Sequence, residues 1–483
     1  MKDFDVVIIG GGAVGCATAY VLSRYDLRIA LLERNPDVAM GTSGKNSAVV
    51  HAGFNNKPGS LMAGLCVAGN KRFEGICGTL DVPYKKTGKL VIGFNDEDMG
   101  IVDRIVADGA RNGSVGLRRV DRAEMDRLEP GIGGIGAVFS SNTAVFDPFL
   151  YTIRLCEAAM RNGASFFMDT ELSAVRKEGG VFILQTSGED YRCEILVNSA
   201  GLYADRVSAM AGDGSFTIYP CRGEYFVLDT AAAELISRPV YPVPRKGVGG
   251  LGVHLTTTVD GNVLIGPSAE YIEDREDYAT SGGMMDELFR EAKTLLPALE
   301  RDMIIGAYTG IRPKLVPKGQ ANYGDFVIGE SPRVENLVNL IGIESPGLTA
   351  SVPIAEMVAE IIGRKRSLGA NPAYQAEYRG SRPFAELDSG IQNALIAGDP
   401  DYGEVICRCK NLTRAEVLRA LRNPLGVRSI VAVKNRLHAT MGRCQGGYCL
   451  AKIANIIMEE FRIAPEDIVY RYQGDSPFPG AVK

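Results

Sequence analysis

Four cysteines near the C-terminus have a spacing that could gather a metal centre. One residue separates Cys407 from Cys409, and four residues separate Cys444 from Cys449. Thiolates brought together from two turns can bind zinc or an iron–sulfur cluster. Structural zinc prefers a longer spacing between paired cysteines, so the tight first pair favours iron. We therefore predict that all four cysteines bind a [2Fe-2S] cluster, with a zinc site as the alternative.

A glycine-rich turn near the N-terminus has the form that binds dinucleotides. It follows a short apolar run and precedes a stretch with helical spacing, as in a βαβ unit. Glycines allow the backbone to approach a pyrophosphate at the N-terminus of the helix. The residues expected to contact the cofactor are Gly10, Gly12, Ala13, Val14 and Gly15. A glycine turn that serves only tight packing is the alternative.

Glu33 ends the second apolar run and restricts the choice of dinucleotide. Its carboxylate is placed to accept hydrogen bonds from an adenosine ribose, and it would repel a 2′-phosphate. FAD or NAD therefore fits, and NADP does not. The next segment is rich in hydrogen-bonding groups and either wraps a diphosphate and a flavin ring or is a solvated loop. Its candidate cofactor residues are Thr42, Ser43, Lys45, Asn46 and Ser47.

The composition excludes several classes of protein. The 483 residues carry 53 Lys and Arg against 58 Asp and Glu, and the net charge of −5 without a long basic run argues against nucleic acid. No stretch reaches about 18 consecutive apolar residues, so we expect no membrane span, although peripheral docking stays open. Cysteines without a disulfide pattern indicate a reducing compartment, and we expect a cytoplasmic protein.

Apolar patterns predict an α/β fold. Strands over 4–9 and 28–32 flank a helix from Ala13 to Tyr25. Further helices are predicted over 149–162, 353–362, 413–421 and 446–461, the third opening at a Thr-x-x-Glu capping box. Alternating runs between 216 and 326 predict a mixed or antiparallel sheet.

These elements imply several domains. A Rossmann-type dinucleotide domain is expected to be discontinuous, with an inserted α+β substrate domain. A polar, proline-containing linker then leads to a small helical domain with the four cysteines. The predicted limits are 1–80, 150–215 and 327–365 for the dinucleotide domain, 81–149 and 216–326 for the substrate domain, 366–403 for the linker, and 404–483 for the cysteine domain.

Further motifs carry a resemblance to a known superfamily. They are His51-Ala52-Gly53, Lys57-Pro58-Gly59-Ser60-Leu61, Arg222-Gly223-Glu224-Tyr225 and Leu251-Gly252-Val253-His254. With the glycine turn, they make residues 1 to about 363 resemble the D-amino-acid-oxidase-type FAD superfamily, including its L-2-hydroxyglutarate oxidases and dehydrogenases. The hydroxyglutarate enzymes usually have a histidine in the position of Lys45. The resemblance implies FAD and adds as cofactor-binding residues Arg34, Ala200, Gly201, Gly310, Ile311, Gly342, Pro346, Gly347, Leu348 and Thr349.

Two segments resemble glycerol-3-phosphate dehydrogenases. The first is Gly310-Ile311-Arg312-Pro313-Lys314, and the second is 441–449, which is similar to the large subunit of the anaerobic enzymes. The cysteine region also resembles the bacterioferritin-associated-ferredoxin [2Fe-2S] domain. In this context Arg312 offers a fork of donors suited to a carboxylate or phosphate, and Lys314 could add a point charge. A surface salt bridge is the alternative for each residue.

The chain has three histidines, and two of them lie in flavoenzyme-like motifs. Oxidation of an alcohol by hydride loss to flavin needs a base for the hydroxyl proton, and imidazole titrates in a useful range. Either His51 or His254 is therefore expected to be the base. His438 lies in the tail, where we expect it to be a surface residue.

The resemblances imply an FAD-dependent dehydrogenase that oxidises a small anionic hydroxy compound and passes electrons through a [2Fe-2S] cluster to a redox protein or quinone-linked subunit. The preferred substrate is sn-glycerol 3-phosphate, which would yield dihydroxyacetone phosphate. L-2-hydroxyglutarate or another 2-hydroxy acid is the alternative. An amine or amino-acid dehydrogenase, an electron-transfer protein without a substrate, and a zinc-stabilised binding module are further options. A hetero- or homo-oligomer is expected.

Overall fold

The structure is a computed structural model that describes residues 1–244, 251–320, 323–472 and 474–478. These residues form sheets of eight, nine, three and two strands. Within the same ranges, no helix has both the length and the apolar character needed to cross a bilayer. The α-helices are Ala13–Leu22, Leu61–Leu80, Asp96–Arg111, Arg122–Leu128, Pro148–Arg161, Ala204–Met210, Gly282–Leu295, Gly347–Gly363, Ser389–Gly398, Arg414–Leu421, Ile430–Leu437 and Leu450–Phe461.

The eight-stranded sheet contains the predicted βαβ unit. Its first strand, Lys2–Ile9, pairs in parallel with Ile29–Leu32 on one side and with Tyr191–Asn198 on the other. All four residues of Ile29–Leu32 are buried, as expected for a parallel strand whose two faces are both covered. The other strands of this sheet are Ser165–Phe167, Leu172–Glu178, Val181–Thr186, Val327–Glu330 and Leu337–Ile341.

The first helix ends at Leu22 rather than at the predicted Tyr25. The backbone N–H of Tyr25 bonds to the carbonyl of Leu22, and that of Arg24 bonds to Val21, so the chain tightens into a turn there. The predicted helix over 353–362 instead begins at Gly347 and contains Pro353. Proline lacks the N–H that would bond to Thr349, and the backbone of Gly69 packs against the Thr349 carbonyl: a Cβ at Gly69 would lie 1.9 Å from that oxygen.

The nine-stranded sheet is mixed, as predicted. Its longest pairing joins Tyr219–Leu228 to Ile304–Lys314 in antiparallel register. Val240–Pro242 and Lys89–Gly93 form a parallel pair. The remaining strands are Leu117–Asp121, Gly136–Ser140, His254–Thr257, Val263–Gly266 and Glu270–Tyr271. Helix Gly282–Leu295 covers one face with buried Leu288 and Ala292. A small sheet of Val49–Val50, Tyr84–Lys86 and Ala144–Phe146 lies apart from it.

The C-terminal region has its own apolar core, which includes Ile406, Val417, Ile453 and Ile457. Its two-stranded sheet consists of Val405–Cys407 and Leu412–Thr413. The predicted capping box is present, with Thr413 and Glu416 each accepting a backbone N–H from the other residue. The last helix begins at Leu450 rather than at Gly446, because Gln445 and Gly446 have positive φ values of 45° and 91° that interrupt helical geometry.

The predicted linker contains a helix that the sequence did not reveal, Ser389–Gly398, none of whose residues is buried. The segment before it lies along the eight-stranded sheet's helices. Asn371 donates from Nδ2 to the carbonyls of Ser23 and Asn162 at 3.0 and 3.1 Å. The first part of the linker, up to Gly380, therefore lies against the N-terminal region, whereas Phe384 and Asp401 contact Glu416 and Arg414 of the cysteine region. The domain limits given above stay a proposal.

Candidate cofactor and active site

A cavity of about 490 Å³ lies between the carboxyl ends of the parallel strands and the nine-stranded sheet. This is the edge of an α/β sheet at which ligands bind. Of the predicted site residues, Gly15, Gly342 and Lys314 do not line it. Those that do are Gly10, Gly12, Ala13, Val14, Glu33, Arg34, Thr42, Ser43, Lys45, Asn46, Ser47, His51, Ala200, Gly201, His254, Gly310, Ile311, Arg312, Pro346, Gly347, Leu348 and Thr349.

The glycines of the turn serve different purposes. Gly10 has a φ of 107°, and a Cβ there would lie 2.6 Å from the carbonyl oxygen of Ser199. A Cβ at Gly15 would lie 2.0 Å from the carbonyl oxygen of Gly10. Gly15 thus allows the helix to pack closely on the strand, and it is not exposed to the cavity.

Glu33 occupies the cavity wall at the end of its strand. Its Oε2 accepts the N–H of Gly11 at 2.6 Å, and its Oε1 accepts the N–H and Nδ2 of Asn35 at 2.9 and 2.6 Å. Burial raises the pKa of this carboxyl despite these bonds. A carboxylate has about four lone-pair sites, so one remains for a ribose hydroxyl.

A polar clasp that the sequence did not reveal crosses the cavity rim beside Glu33. The guanidinium of Arg34 and the hydroxyl of Tyr203 both bond to Glu276, which belongs to the nine-stranded sheet's side of the cavity. The guanidinium also lies over the Tyr203 ring, 4.1 Å from its centroid. These three residues join the two halves of the cavity wall.

The loop containing residues 42–47 packs against strand Ile304–Lys314. Thr42 Oγ1 donates to the carbonyl of Ile311, and Tyr308 Oη donates to the carbonyl of Asn46, each at 2.7 Å. A Cβ at Gly310 would lie 2.1 Å from the carbonyl oxygen of Lys45, so only glycine permits this approach. The loop is therefore part of the cavity wall and not a solvated loop.

The ammonium group of Lys45 is buried and has no hydrogen-bond partner among the described residues. It lies over the ring of Tyr278, 3.1 Å from the centroid. Burial lowers the pKa of Lys45 to about 7. An unpartnered buried donor on the cavity wall fits a bound anionic or polar group, such as a diphosphate or a flavin ring edge.

His254 has the geometry of a base. Its Nδ1 lies 2.9 Å from the carbonyl oxygen of Gly252, and its ring stacks on Tyr241 at 3.7 Å. A carbonyl only accepts, so Nδ1 carries the proton and Nε2 has the free lone pair. Nε2 is buried without a partner among the described residues, and burial lowers the pKa of His254 to about 3. The ring is therefore neutral at physiological pH.

His51 also lines the cavity, but its ring is engaged. Nε2 lies 3.2 Å from Ser345 Oγ, and the backbone N–H of His51 donates to Thr349 Oγ1 at 3.0 Å. Burial, with the charge of Lys89, lowers its pKa well below the usual range. His51 thus ties the 42–53 segment to the start of helix Gly347–Gly363.

Arg312 presents a guanidinium to the cavity and is fixed by backbone carbonyls. Its Nη2 donates to Ser268 and, at 3.2 Å, to Arg222, and its Nε lies 3.4 Å from the Cys221 carbonyl oxygen. Lys314 is instead buried beside Glu344, with Nζ 2.9 Å from Oε2. Of the two predicted anion-binding cations, the cavity wall therefore contains Arg312.

A third cation lies behind the histidines and was not singled out from the sequence. Lys89 is 1% exposed, and its Nζ has no hydrogen-bond partner among the described residues. It lies over the rings of Tyr241 and Phe54, 4.2 and 4.7 Å from their centroids. Burial lowers its pKa to about 7. Most lysines are exposed, so the sequence did not indicate that Lys89 is buried.

We expect Lys89 to make folding stability depend on pH. Its pKa is lower in the folded state, so folding releases a proton between about pH 7 and the unfolded pKa, and stability rises with pH there by up to about 1.4 kcal/mol per unit. Lys89→Met should reduce this slope in denaturant titrations of cofactor-free protein. Lys45→Met is the matched variant, because the pKa of Lys45 is also about 7. It should reduce the slope of stability against pH by a similar amount. An unchanged slope in Lys89→Met would contradict the assignment.

The four C-terminal cysteines stand as two thiol pairs. The sulfur atoms of Cys409 and Cys444 are 3.6 Å apart. Burial, together with the neighbouring Cys407, raises the pKa of the Cys449 thiol to about 11. Among the described residues, no three metal-binding side chains converge on one point in this arrangement. Backbone N–H groups of Tyr448 and Gly446 lower the pKa of Cys444, which favours its thiolate. Four thiols with such amide donors fit an anionic iron–sulfur cluster.

The cysteine region is docked on the rest of the chain through buried charges. Arg436 binds Asp37 through both terminal nitrogens at 2.6 and 3.1 Å, and both side chains are buried. Lys410 and Arg443 contact Asp260 and Asp229 at 3.0 and 3.2 Å. These contacts hold the cysteine loops against the nine-stranded sheet.

His438 lies inside this interface, so the expectation that it is a surface residue is wrong. Its Nε2 is 2.9 Å from Asp147 and its Nδ1 is 2.6 Å from Asp260, with 12% of the side chain exposed. Burial disfavours the imidazolium, but the two carboxylates outweigh it and raise the pKa of His438 to about 10. The contact was unpredictable because its partners are far away in sequence.

Comparisons with known proteins agree with this architecture. Residues 5–361 match the family described as FAD dependent oxidoreductase, and residues 405–459 match the BFD-like [2Fe-2S] binding domain. The chain is 33% identical to a glycerol 3-phosphate dehydrogenase of Caloramator mitchellensis over 99% of both chains. It is 32% identical to the mitochondrial L-2-hydroxyglutarate dehydrogenase of Arabidopsis thaliana, over 74% of this chain and 82% of that one.

Solved structures show the same fold. The FAD-bound L-alpha-glycerophosphate oxidase of Mycoplasma pneumoniae is 27% identical, with a TM-score of 0.74 over 79% of this chain and all of that one. The predicted superfamily, fold class and two cofactors are therefore confirmed, and a zinc-stabilised binding module is excluded. The chain belongs to the FAD-dependent oxidoreductases of the D-amino-acid-oxidase type and has a C-terminal BFD-like [2Fe-2S] binding domain.

Proposed function

We propose that this FAD-dependent dehydrogenase oxidises sn-glycerol 3-phosphate to dihydroxyacetone phosphate and delivers the electrons singly to a partner redox protein. The observation that carries the proposal is a cavity that combines an unprotonated, unpartnered His254 Nε2 with the fixed guanidinium of Arg312. A base and an anion site are what an alcohol with a phosphate group needs. The similarity to a glycerol 3-phosphate dehydrogenase over 99% of the chain supports the same substrate.

His254 takes the hydroxyl proton in this proposal. The Gly252 carbonyl fixes the tautomer, and Tyr241 fixes the plane of the ring, so Nε2 is the acceptor atom of a histidine that lines the cavity. The CH–OH group loses two electrons and two protons in all and becomes a carbonyl group. One proton goes to Nε2, and the other leaves the carbon with the electron pair as hydride.

Arg312 binds the phosphate and thereby orients the alcohol toward the base. Three backbone carbonyls hold the guanidinium and limit its rotamers, so little side-chain entropy is lost on binding. Lys314 forms a buried ion pair with Glu344 and packs behind the residues that line the cavity. The remaining terminal nitrogen, Nη1, could donate to a carboxylate as well as to a phosphate, which is why a 2-hydroxy acid is the second candidate.

FAD, when bound, supplies the hydride acceptor. The residues that would hold it are those of the glycine turn, Glu33, the 42–47 loop, and residues 346–349, all of which line the cavity. Lys45 also lines the cavity, and its buried ammonium has no hydrogen-bond partner among the described residues. Tyr225, Tyr241 and Tyr323 also line this cavity.

One specific observation supports L-2-hydroxyglutarate as the alternative substrate. Relatives named as L-2-hydroxyglutarate dehydrogenases are 30–32% identical over 74% of this chain. That similarity covers 74% of this chain, whereas the similarity to the glycerol 3-phosphate relative covers 99% of it. We therefore rank the hydroxy acid second.

We further propose that the physiological acceptor is a protein or a quinone-linked subunit and not dioxygen. Electrons would pass from the cavity to the cysteine region, and strand Ile304–Lys314 contacts both. Gly306 packs against Gln445, the neighbour of Cys444, and Gly310 packs against Lys45 on the cavity wall. Four residues of a strand span about 13 Å, which is a short distance for an electron to cross. Ten unbridged cysteines fit a cytoplasmic location, and an oligomeric state is expected.

Anaerobic substrate titration of the purified holoprotein tests the substrate. We expect sn-glycerol 3-phosphate to bleach the flavin absorbance, and glycerol, which lacks the anion, to act only at far higher concentration. Bleaching by L-2-hydroxyglutarate alone would transfer the proposal to the hydroxy acid. A flavin that L-proline bleaches, or that none of these compounds bleaches, would overturn it.

His438→Gln tests the docking of the cysteine domain. The substitution leaves Asp147 in a buried position without its counter-ion, which costs about 3–5 kcal/mol at a buried ion pair. We expect a lower unfolding midpoint and faster proteolysis near residue 404. Reduction of the cluster by substrate should slow, whereas reduction of the flavin should not. Arg422→Gln, which breaks an exposed pair with Glu460 in the same domain, is the control and should do neither.

A further inference from the structure

The cysteine loops leave one edge open to solvent. Cys409 and Cys444 are exposed, whereas Cys407 and Cys449 are 2% and 0% exposed. A one-electron carrier can reach the four cysteines most closely at the Cys409 and Cys444 edge. The side chains around this edge therefore decide which carrier is accepted.

Cations surround the exposed edge. Arg408 lies between Cys407 and Cys409, Arg443 directly precedes Cys444, and Lys452 lies in the first turn of helix Leu450–Phe461. The segments 405–411 and 440–453, which carry the four cysteines, contain no Asp or Glu. We call Arg408, Arg443, Lys452 and Tyr448 the cationic rim.

Tyr448 holds two of these cations near each other. The guanidinium carbon of Arg408 lies 4.3 Å from the ring centroid, and Nζ of Lys452 lies 4.9 Å from it. An aromatic ring attracts cations at such distances, which offsets part of their mutual repulsion. The ring thus fixes a compact positive patch beside the cysteines.

Of the two nearby carboxylates, one is paired outside the rim and the other offsets only part of the rim's charge. Asp260 is engaged by Lys410 and His438, which face it from the cysteine domain. Asp229 pairs with Nε of Arg443 at 3.2 Å, so the positive charge of the rim rests mainly on Arg408 and Lys452. The rim is therefore a positive surface on a chain whose net charge is −5.

We propose that the cationic rim is the docking surface for a small acidic one-electron carrier protein. A negative partner is repelled by most of this chain and attracted at the rim, so the field orients it toward Cys409 and Cys444. Each substrate molecule releases two electrons and two protons, which reduces two carriers by one electron each and leaves the protons in solvent. The inference rests on the proposed exit of electrons through the C-terminal domain.

Binding to an acidic ferredoxin tests the rim without any substrate. Holoprotein is titrated with this ferredoxin in a calorimeter, and basic cytochrome c is the opposite-charge probe. We expect the ferredoxin to bind and cytochrome c not to bind at the rim. Affinity for the ferredoxin should fall by about tenfold or more when ionic strength rises from about 0.01 to about 0.1 M, which shortens the screening length from about 30 to about 10 Å.

Charge reversal locates the surface. Arg408→Glu with Lys452→Glu should weaken ferredoxin binding by about tenfold or more, by removing two attractions and adding two repulsions. The matched control is Arg104→Glu with Arg127→Glu, which changes net charge equally on exposed residues near the opposite end of the nine-stranded sheet. Visible spectra of both variants report whether the cluster is intact. The salt dependence of the unaltered protein needs no variant.

The outcomes separate this inference from the proposed function. Equal ferredoxin affinity in both double variants, or tighter binding of cytochrome c than of ferredoxin, would overturn the docking surface. Substrate-driven flavin bleaching should be the same in the rim variant as in the unaltered protein. If no substrate bleaches the flavin, the proposed function fails, while binding of ferredoxin at the rim is still decided by calorimetry.

Discussion

His254→Gln is expected to lower the rate of substrate-driven flavin reduction by about 10²–10⁴-fold, because the variant lacks the base that takes the hydroxyl proton. FAD content should be unchanged, since no predicted FAD contact is removed. Stopped-flow absorbance under anaerobic conditions, at saturating sn-glycerol 3-phosphate, measures this rate directly. Because the pKa of His254 is about 3, the base is unprotonated over the whole neutral range. The rate should therefore not fall as pH decreases from about 8 to about 5.

His51→Gln is the matched control. Its Nε2 already contacts Ser345, so we expect a smaller loss than in His254→Gln, together with weaker FAD retention through the altered 42–53 segment. The reverse order of effects would make His51 the base. A fall in rate with decreasing pH that disappears in His51→Gln would lead to the same conclusion.

Arg312→Met is expected to raise KM for sn-glycerol 3-phosphate by about 100-fold, because a charged hydrogen-bonded pair at a buried site contributes about 2–5 kcal/mol. The residual turnover of glycerol should change little, since glycerol has no anion to lose. Steady-state kinetics with an artificial electron acceptor measure both compounds in parallel. The ratio between them isolates the contribution of the phosphate contact.

Arg312→Lys separates this role from a structural one. Three backbone carbonyls lose partners in Arg312→Met, which could destabilise the wall. Lysine keeps the positive charge but lacks the planar guanidinium. Arg312→Lys should therefore raise KM by less than Arg312→Met does. If both variants lose turnover of glycerol and turnover of sn-glycerol 3-phosphate equally, Arg312 is structural and the anion site lies elsewhere.

Local sequence patterns predicted the features that depend on neighbours in the chain. The glycine turn, the strand directly before Glu33 and the capping box at Thr413 all appear where the spacing placed them. The limits of helices were less accurate where backbone bonds or positive φ values intervened, as at Leu22 and Gln445.

Features that depend on tertiary contacts could not be predicted. Lys89 is an ordinary lysine in sequence, and only the fold places its ammonium between two aromatic rings. His438 gained its two carboxylates from Asp147 and Asp260, which no spacing rule links to it. The same holds for the clasp of Arg34, Tyr203 and Glu276. A one-dimensional pattern gives residue types but not burial or long-range partners.

Low-temperature electron paramagnetic resonance after anaerobic addition of sn-glycerol 3-phosphate tests the central claim most directly. That claim is that a small anionic alcohol binds in the cavity and gives up a hydride there. The two electrons of this hydride then reach the four cysteines. We predict that substrate bleaches the flavin and also produces the signal of a reduced [2Fe-2S] cluster, and that Cys409→Ala abolishes the signal. A bleached flavin beside a cluster that stays oxidised, with rapid peroxide formation once air is admitted, would contradict the account.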